Sequence, residues 1–393
     1  MKNRHMRKQK KILMASAILW TTAVLGAVSP LTAFAANPEF ARTPEEWEKL
    51  RDNVLEYEEI ADLVQEYNVT VQNNQYEYNK FIQDYGRTRE DIAKEYRDLA
   101  DDLESDMSGG DSAMEKIADL QLQLQADQLR EQADDNLEDS HIYYLTYCQA
   151  EDNLVMSAQS RMISYYSTQL ELESAREKRA TLQNDYQLLL AQQQAGMATE
   201  NQVLDAEESI LEQEKTIYNL EMKVESTRQK LITMLGWKGT DQPEIGNLPQ
   251  VDLEEIDAID LEKDKQAALE NNYTLNINKR KLENAREKNN KEDLEKTIIS
   301  NERQIGVSVT AAYQSLITAK MSYEQALENR VTEERNTELA RQRWNAGVIT
   351  QYAFQEQEYM LSEKQRSVET ASMALLEALE TYRWNIKGLA SAG

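Results

Sequence analysis

Between Pro44 and Pro243, and again from Pro249 to Gly393, the sequence contains no proline; its 5 prolines stand at 30, 38, 44, 243 and 249. Proline removes a backbone donor and clashes with the preceding turn of a helix, whereas sandwiches of short strands need turn residues roughly every 8 to 12 positions. Two long proline-free tracts, in a chain with only 12 glycines, therefore predict long helices and argue against β-rich and doubly wound folds.

The first prolines belong to an export signal. Lys2, Arg4, Arg7, Lys8, Lys10 and Lys11 precede an apolar run from Ile12 to Val28, followed by Ala33-Phe34-Ala35, the small-x-small pattern of a cleavage site. Removal of residues 1–35 is expected, with 36–44 left as an N-terminal linker. Pro30 and the Ala-x-Ala site argue against a retained membrane anchor. The chain carries 44 basic and 70 acidic side chains, a net charge of -26, and losing six basic residues with the signal takes it to about -32. Such a surface repels nucleic acid and anionic lipid, so neither a nucleic-acid partner nor direct bilayer insertion of the mature chain is expected. No cysteine near the cleavage site offers a lipid anchor. The expected location is secreted, or associated with the cell envelope or wall.

Little in the chain suggests an enzyme. Cys148 is the single cysteine, and His141 the single histidine beyond the signal, so neither a disulfide framework nor a His/Cys metal set can be assembled. In a helical tract Cys148 reads as a small packing residue and His141 as a solvated position with no glycine elbow beside it. No G-x-G-x-x-G or Walker A pattern occurs. No catalytic residue, cofactor or metal is assigned.

Organisation says more. The run from Gly236 to Val251, GWKGTDQPEIGNLPQV, concentrates glycine and proline and reads as a linker over 237–252. It divides a first repeat, 45–236, from a second, 253–388, with a tail at 389–393. Ala195-Gly196-Met197-Ala198-Thr199 in the first matches Ala346-Gly347-Val348-Ile349-Thr350 in the second, 151 residues later. After Gly196, apolar residues recur every seventh position at Val203, Ile210, Ile217, Val224 and Leu231; the same offset gives Phe354, Leu361, Val368, Leu375 and Tyr382. A heptad in one phase in both halves is a coiled-coil seam, and the halves read as duplicates. Each glycine also follows a helical tract, and a glycine in the left-handed C-cap conformation with Thr199 or Thr350 as the next N-cap makes a helical hairpin. Gly196 and Gly347 are the expected tips, with arms of roughly 57 Å.

A second pair of landmarks, Asn68-Val69-Thr70 and Asn272-Tyr273-Thr274, lies 204 residues apart. Both fit a glycosylation acceptor, but their matching places favour a duplicated helix segment. The offsets differ by 53 residues, so the first half carries extra length before its tip. That length is expected around Asp101 to Ser140, as a helical extension with its turn at Asp106–Asp111.

Together these residues resemble the TolC-like outer-membrane efflux proteins. The likeness rests on Gly196 with Gln202-Val203-Leu204-Asp205-Ala206-Glu207 and Leu235-Gly236. It also rests on Arg343-Trp344-Asn345-Ala346-Gly347 with Glu358 and Leu361, and on Ala267-Ala268-Leu269-Glu270-Asn271-Asn272. The resemblance implies an all-α chain of two tandem repeats of long antiparallel coiled-coil hairpins. In that family protomers trimerise into a twelve-helix tunnel whose tips dock a periplasmic adaptor bound to an inner-membrane pump. For this chain it implies a homotrimer, an adaptor of the membrane-fusion kind with an ABC-type permease, and docking by Gly196, Met197, Thr199, Gly347, Val348 and Thr350. It also implies a possible gate at Trp344, Glu356 and Glu358.

Two departures stand out. The family's membrane-spanning strands would fall at ADDLESDMSGGDSAMEK and KNNKEDLEKT, and neither can face lipid. The expectation is an α-barrel protomer without a β-barrel, fitting a cell with one membrane and a thick wall. The second departure is Ile349, which stands two after the tip glycine where the family's gate has a basic residue. The competing reading is an extracellular coiled-coil spacer or adhesin that kept the hairpins and has no lumen.

Overall fold

The computed structural model describes residues 43–393; the expected export signal and most of the 36–44 segment lie outside them. The described chain forms twelve α-helices and one pair of two-residue strands. Helix α1 (Pro44–Lys49) and β1 (Val54–Leu55) lead into α2 (Ile60–Tyr67) and α3 (Val69–Tyr85). Next come α4 (Arg89–Ser105) and α5 (Ala113–Asp135), then the long helices α6 (Ser140–Gln194) and α7 (Glu200–Met234). After β2 (Glu244–Ile245) follow α8 (Leu253–Asp257), α9 (Leu261–Asn271), α10 (Tyr273–Asn284), α11 (Lys288–Asn345) and α12 (Gln351–Trp384), which runs into a π turn at Asn385–Leu389. No described helix is long and apolar enough to cross a membrane.

These elements fall into two compact units: one joins 43–51 to 85–137, and the other joins 52–84 to 138–393. In the larger unit two hairpins dominate. Helices α6 and α11 have 55 and 58 residues, about 82 and 87 Å at 1.5 Å per residue. Each pairs with the helix after it through the predicted seam: Val203, Ile210 and Leu231 of α7 are buried, as are Phe354, Val368, Leu375 and Tyr382 of α12. Ile217, Val224 and Leu361 are half-buried. Burying one such side chain stabilises by about 1.5–3 kcal/mol, so the heptad sets which faces meet. Exposed ion pairs Arg176–Glu221 (2.8 Å), Arg179–Glu214 (2.7 Å) and Lys223–Glu171 (3.2 Å) keep the register of α6 against α7, each adding little stability.

The duplication extends to the short helices. Asn68 ends α2 and its side-chain oxygen accepts from the amides of Thr70 and Val71 at the start of α3. Asn272 does the same between α9 and α10, accepting from Leu275 N at 2.9 Å. Each amide group donates to backbone carbonyls where its own repeat ends. Asn68 reaches Met234 (2.8 Å), and Asn272 reaches Gly388 (3.2 Å) and Ala390 (2.7 Å). Asn272 is fully buried and Asn68 nearly so. Both amides thus clasp the beginning of a repeat to its end, which agrees with reading them as a duplicated landmark rather than as glycan acceptors. The glycine of each closing turn comes against the opening helix pair. A Cβ on Gly388 would sit 2.8 Å from the carbonyl oxygen of Asn271, and one on Gly236 2.4 Å from Tyr67 Cβ.

The segment read as a linker is held at its middle. Its strand β2 pairs in parallel with β1, Val54 opposite Glu244 and Leu55 opposite Ile245. The Tyr166 hydroxyl lies 2.9 and 2.7 Å from the carbonyls of Ile245 and Gly246.

The extra length of the first half lies in the smaller unit. Residues 85–137 number 53, the difference between the two sequence offsets, and form the hairpin α4/α5 around the expected turn. The hairpin begins before the expected Asp101, because Thr88 and Asp91 make a capping box that starts α4 at Arg89. At the corresponding place in the second half only Ala285, Arg286 and Glu287 separate α10 from α11. Neither place holds a strand, and a two-residue strand falls far short of the roughly 9–11 residues that cross a bilayer.

Candidate functional site at the two hairpin tips

The tips are built alike from sequence upward. Helix α6 is C-capped by Ala195, and Gly196 takes φ +70°. Gly196 N donates to Gln193 O (2.9 Å) and Met197 N to Gln192 O (2.8 Å). At the second tip Gly347 also has φ +70°, Gly347 N donates to Trp344 O (2.9 Å), and Val348 N donates to Arg343 O (2.8 Å). These paired bonds form the Schellman motif, which consumes orphan carbonyls and needs a left-handed residue at its centre. No atom lies within 4 Å of where a Cβ would stand on either glycine, so conformation rather than space demands glycine here.

The helices that leave the tips start on threonine. Thr199 accepts from Gln202 N (3.3 Å), while Gln202 Oε1 accepts from Thr199 N (2.8 Å), a complete capping box. Thr350 accepts from Ala353 N at 3.1 Å, and the box stays incomplete because alanine holds the third position. Between glycine and threonine the side chains alternate: Met197 and Val348 are 74% and 70% exposed, whereas Ala198 and Ile349 are half-buried. Each tip thus offers one apolar side chain to solvent and turns the next inward.

The tips also share one end of the larger unit. Helices α6 and α12 lie side by side, antiparallel, tied by Trp384 Nε1 to Gln159 (2.7 Å), Ser160 to Glu377 (3.1 Å), the Arg366–Glu177 pair and Tyr352 to Asp185 (2.8 Å). The same antiparallel pairing runs on toward Gly196 and Gly347 at one end. The side chains expected at a gate are placed as follows. Trp344 stacks on Phe354 across the turn, centroids 4.9 Å apart and rings within 3° of parallel, and Phe354 is buried. Glu356 and Glu358 are exposed on the first turns of α12.

One feature of the long helices was not read from the sequence. Beside the buried seam of α7 runs a second heptad, displaced by one residue: Leu204, Leu211 and Tyr218 are 53%, 60% and 63% exposed. The signal was present as apolar residues at consecutive seam positions, which widen the stripe beyond what one partner helix covers. Among the described residues no cluster of three or more His, Cys, Asp or Glu side chains is placed to hold a metal. Burial pushes the Cys148 thiol above its ordinary value, so its thiolate is scarce at neutral pH.

Comparison with protein-family models and with curated proteins gives no match. Solved structures do match. A membrane protein from Pseudomonas aeruginosa superposes with a TM-score of 0.53 at 11% identity, over 84% of this chain and 90% of that one. The Campylobacter jejuni CmeC outer membrane channel gives 0.50 at 9% identity, over 95% of each chain. CusC, described by its folding and transmembrane channel formation, gives 0.50 at 9%, over 84% of this chain and 92% of its own. At such identities the likeness is one of fold. The chain folds as a TolC-like α-barrel protomer, two tandem long hairpins, with the α4/α5 hairpin and the first turns of α11 where the resemblance puts strand pairs.

Proposed function

We propose that the chain is the conduit-forming component of an efflux or export system, assembled as a homotrimer around a helical lumen. The observation that carries this reading is the exposed heptad of α7. Leu204, Leu211 and Tyr218 repeat at the spacing of a coiled-coil seam, yet among the described residues no helix covers them. A contiguous apolar stripe of this kind is an interaction surface, and another copy supplies helices of matching length and period.

In this reading the pair of tips is the docking end. Met197 and Val348 insert as apolar anchors into the helical hairpin of an adaptor, and Gly196, Thr199, Gly347 and Thr350 hold the turns that present them. The adaptor belongs to a membrane transporter of the ABC-type permease class. Glu356 and Glu358 supply the acidic side of a gate beside the second tip, with Trp344 fixed by its stack on Phe354. Export through a signal removed after Ala35 puts the protein outside the membrane, in the envelope or wall.

The test is binding between the purified protein and the helical hairpin of a candidate adaptor. Gly347→Val forces a β-branched residue into a left-handed conformation at a local cost of about 1–2 kcal/mol. It is expected to weaken binding at least tenfold while leaving helicity unchanged. Undiminished affinity in the variant contradicts tip docking.

A further inference from the structure

Helix α5 carries a surface that the folding of its own hairpin does not use. Its buried side, Ala126, Leu129 and Ala133, is one wall of the α4/α5 hairpin, whose other wall includes Ile92, Ala93, Ala100 and Leu103 of α4. Polar clamps fix the two helices at both ends and between. The buried Arg89 donates to the carbonyls of Asn136 (2.7 Å) and Asp134 (2.6 Å). Arg130 binds Glu104 and Asp101, and its hydrogen bonds, with those of Gln123, hold the Glu104 carboxyl down to about 2. At the turn, Asp119 accepts from Ser108 N (2.8 Å) and Gly109 N (3.0 Å), and Ser112 and Glu115 make a capping box.

On the opposite side of α5 stand Met114, Ile117, Leu120 and Leu124, 84%, 60%, 70% and 60% exposed. Steps of three, three and four residues put all four on one helix face. Single exposed apolar residues need no explanation, but four in register, on a helix otherwise rich in Gln, Asp and Glu, form a stripe that excludes little water until something covers it. The surroundings select the occupant. Residues 89–135 contain 15 acidic and 5 basic side chains, and the stripe continues toward the hairpin base into Asp127, Glu131 and Asp135. A second copy would set acid against acid, and an anionic bilayer would be repelled.

We propose that this face docks a basic amphipathic helix of a partner protein, its apolar residues on Met114, Ile117, Leu120 and Leu124 and its Lys or Arg residues against the acidic base of α5. This is helix-on-helix recognition with complementary charge. The inference rests on the α4/α5 hairpin alone and holds whether or not the chain forms a conduit.

The test uses the purified protein and a labelled 18-residue peptide of Leu and Lys at helical spacing, with its Leu and Glu counterpart as control. The Lys peptide is expected to bind and the Glu peptide not. The triple variant Ile117→Gln, Leu120→Gln, Leu124→Gln, which alters only exposed positions, should keep the wild-type unfolding temperature and bind the Lys peptide at least tenfold more weakly. Gln121→Lys with Gln128→Lys, beside the stripe, should also weaken it. Equal binding by the triple variant would reduce the effect to bulk charge and overturn the proposal. So would a stripe-dependent change in the protein's own oligomeric mass, or stripe-dependent binding to phosphatidylglycerol vesicles.

Discussion

Asp139 joins the start of α6 to α10 through a single carboxylate. One of its oxygens caps α6 by accepting from His141 N (3.1 Å) and Ile142 N (3.0 Å); the other accepts from Arg280 Nε (2.6 Å) and Asn284 Nδ2 (3.0 Å) of α10. Its side chain is 1% exposed. Burial alone would raise its pKa, but the bonds from Asn284, Ile142 N and Arg280 outweigh burial and hold the carboxyl below its ordinary value of 3.8. A depressed carboxyl lends stability that is complete above the ordinary value and lost as pH falls through the folded one. Asp139→Asn should therefore cost about 2–3 kcal/mol at neutral pH, since it breaks a buried pair whose arginine is part-exposed and weakens a cap. Urea unfolding across pH checks this: the gap to wild type should close below about pH 3.8, and a gap that is constant down to pH 2 would contradict the assignment. None of this was legible beforehand. Asp139 stood in an acidic run, and only the folding of α10 against α6, 141 residues away, separates it from its neighbours. The paired Asn68 and Asn272 were legible as a repeat, but their task was not, because their partners are backbone carbonyls that leave no trace in residue type.

At the scale of elements, the hairpins were readable because proline is absent where they run and a strict heptad names their inner faces. Seven of the ten predicted seam residues are buried, and both tips cap as the glycine and threonine spacing implies. The helical extension was readable as an amount of chain and a turn, but its start was set at Asp101, twelve residues beyond Arg89, since α4's amphipathic face contains small residues such as Ala93 and Ala100 that give a weak periodic signal. The parallel contact of β1 with β2 could not be foreseen: two residues on each side carry no alternation to count. The exposed seam of α7 supplies a prediction at this scale. Leu211→Glu with Tyr218→Glu replaces side chains already in solvent, so thermal unfolding of the separated protomer should stay within about 0.5 kcal/mol of wild type. The same pair should abolish self-association in sedimentation at micromolar concentration, and undisturbed self-association would show that the seam is not the interface.

For the whole molecule, the fold is held in common with outer-membrane channels, and helix occupies both segments where the resemblance puts membrane-spanning strands: the α4/α5 hairpin and the first turns of α11. A conduit of this chain would meet a transporter at its tips. The account therefore turns on assembly. The mass of the purified protein in solution, measured by light scattering over a range of concentrations and with and without a candidate adaptor, tests it most directly: three times the protomer mass is the predicted result, and a stable monomer under every condition would contradict the conduit and leave the coiled-coil spacer.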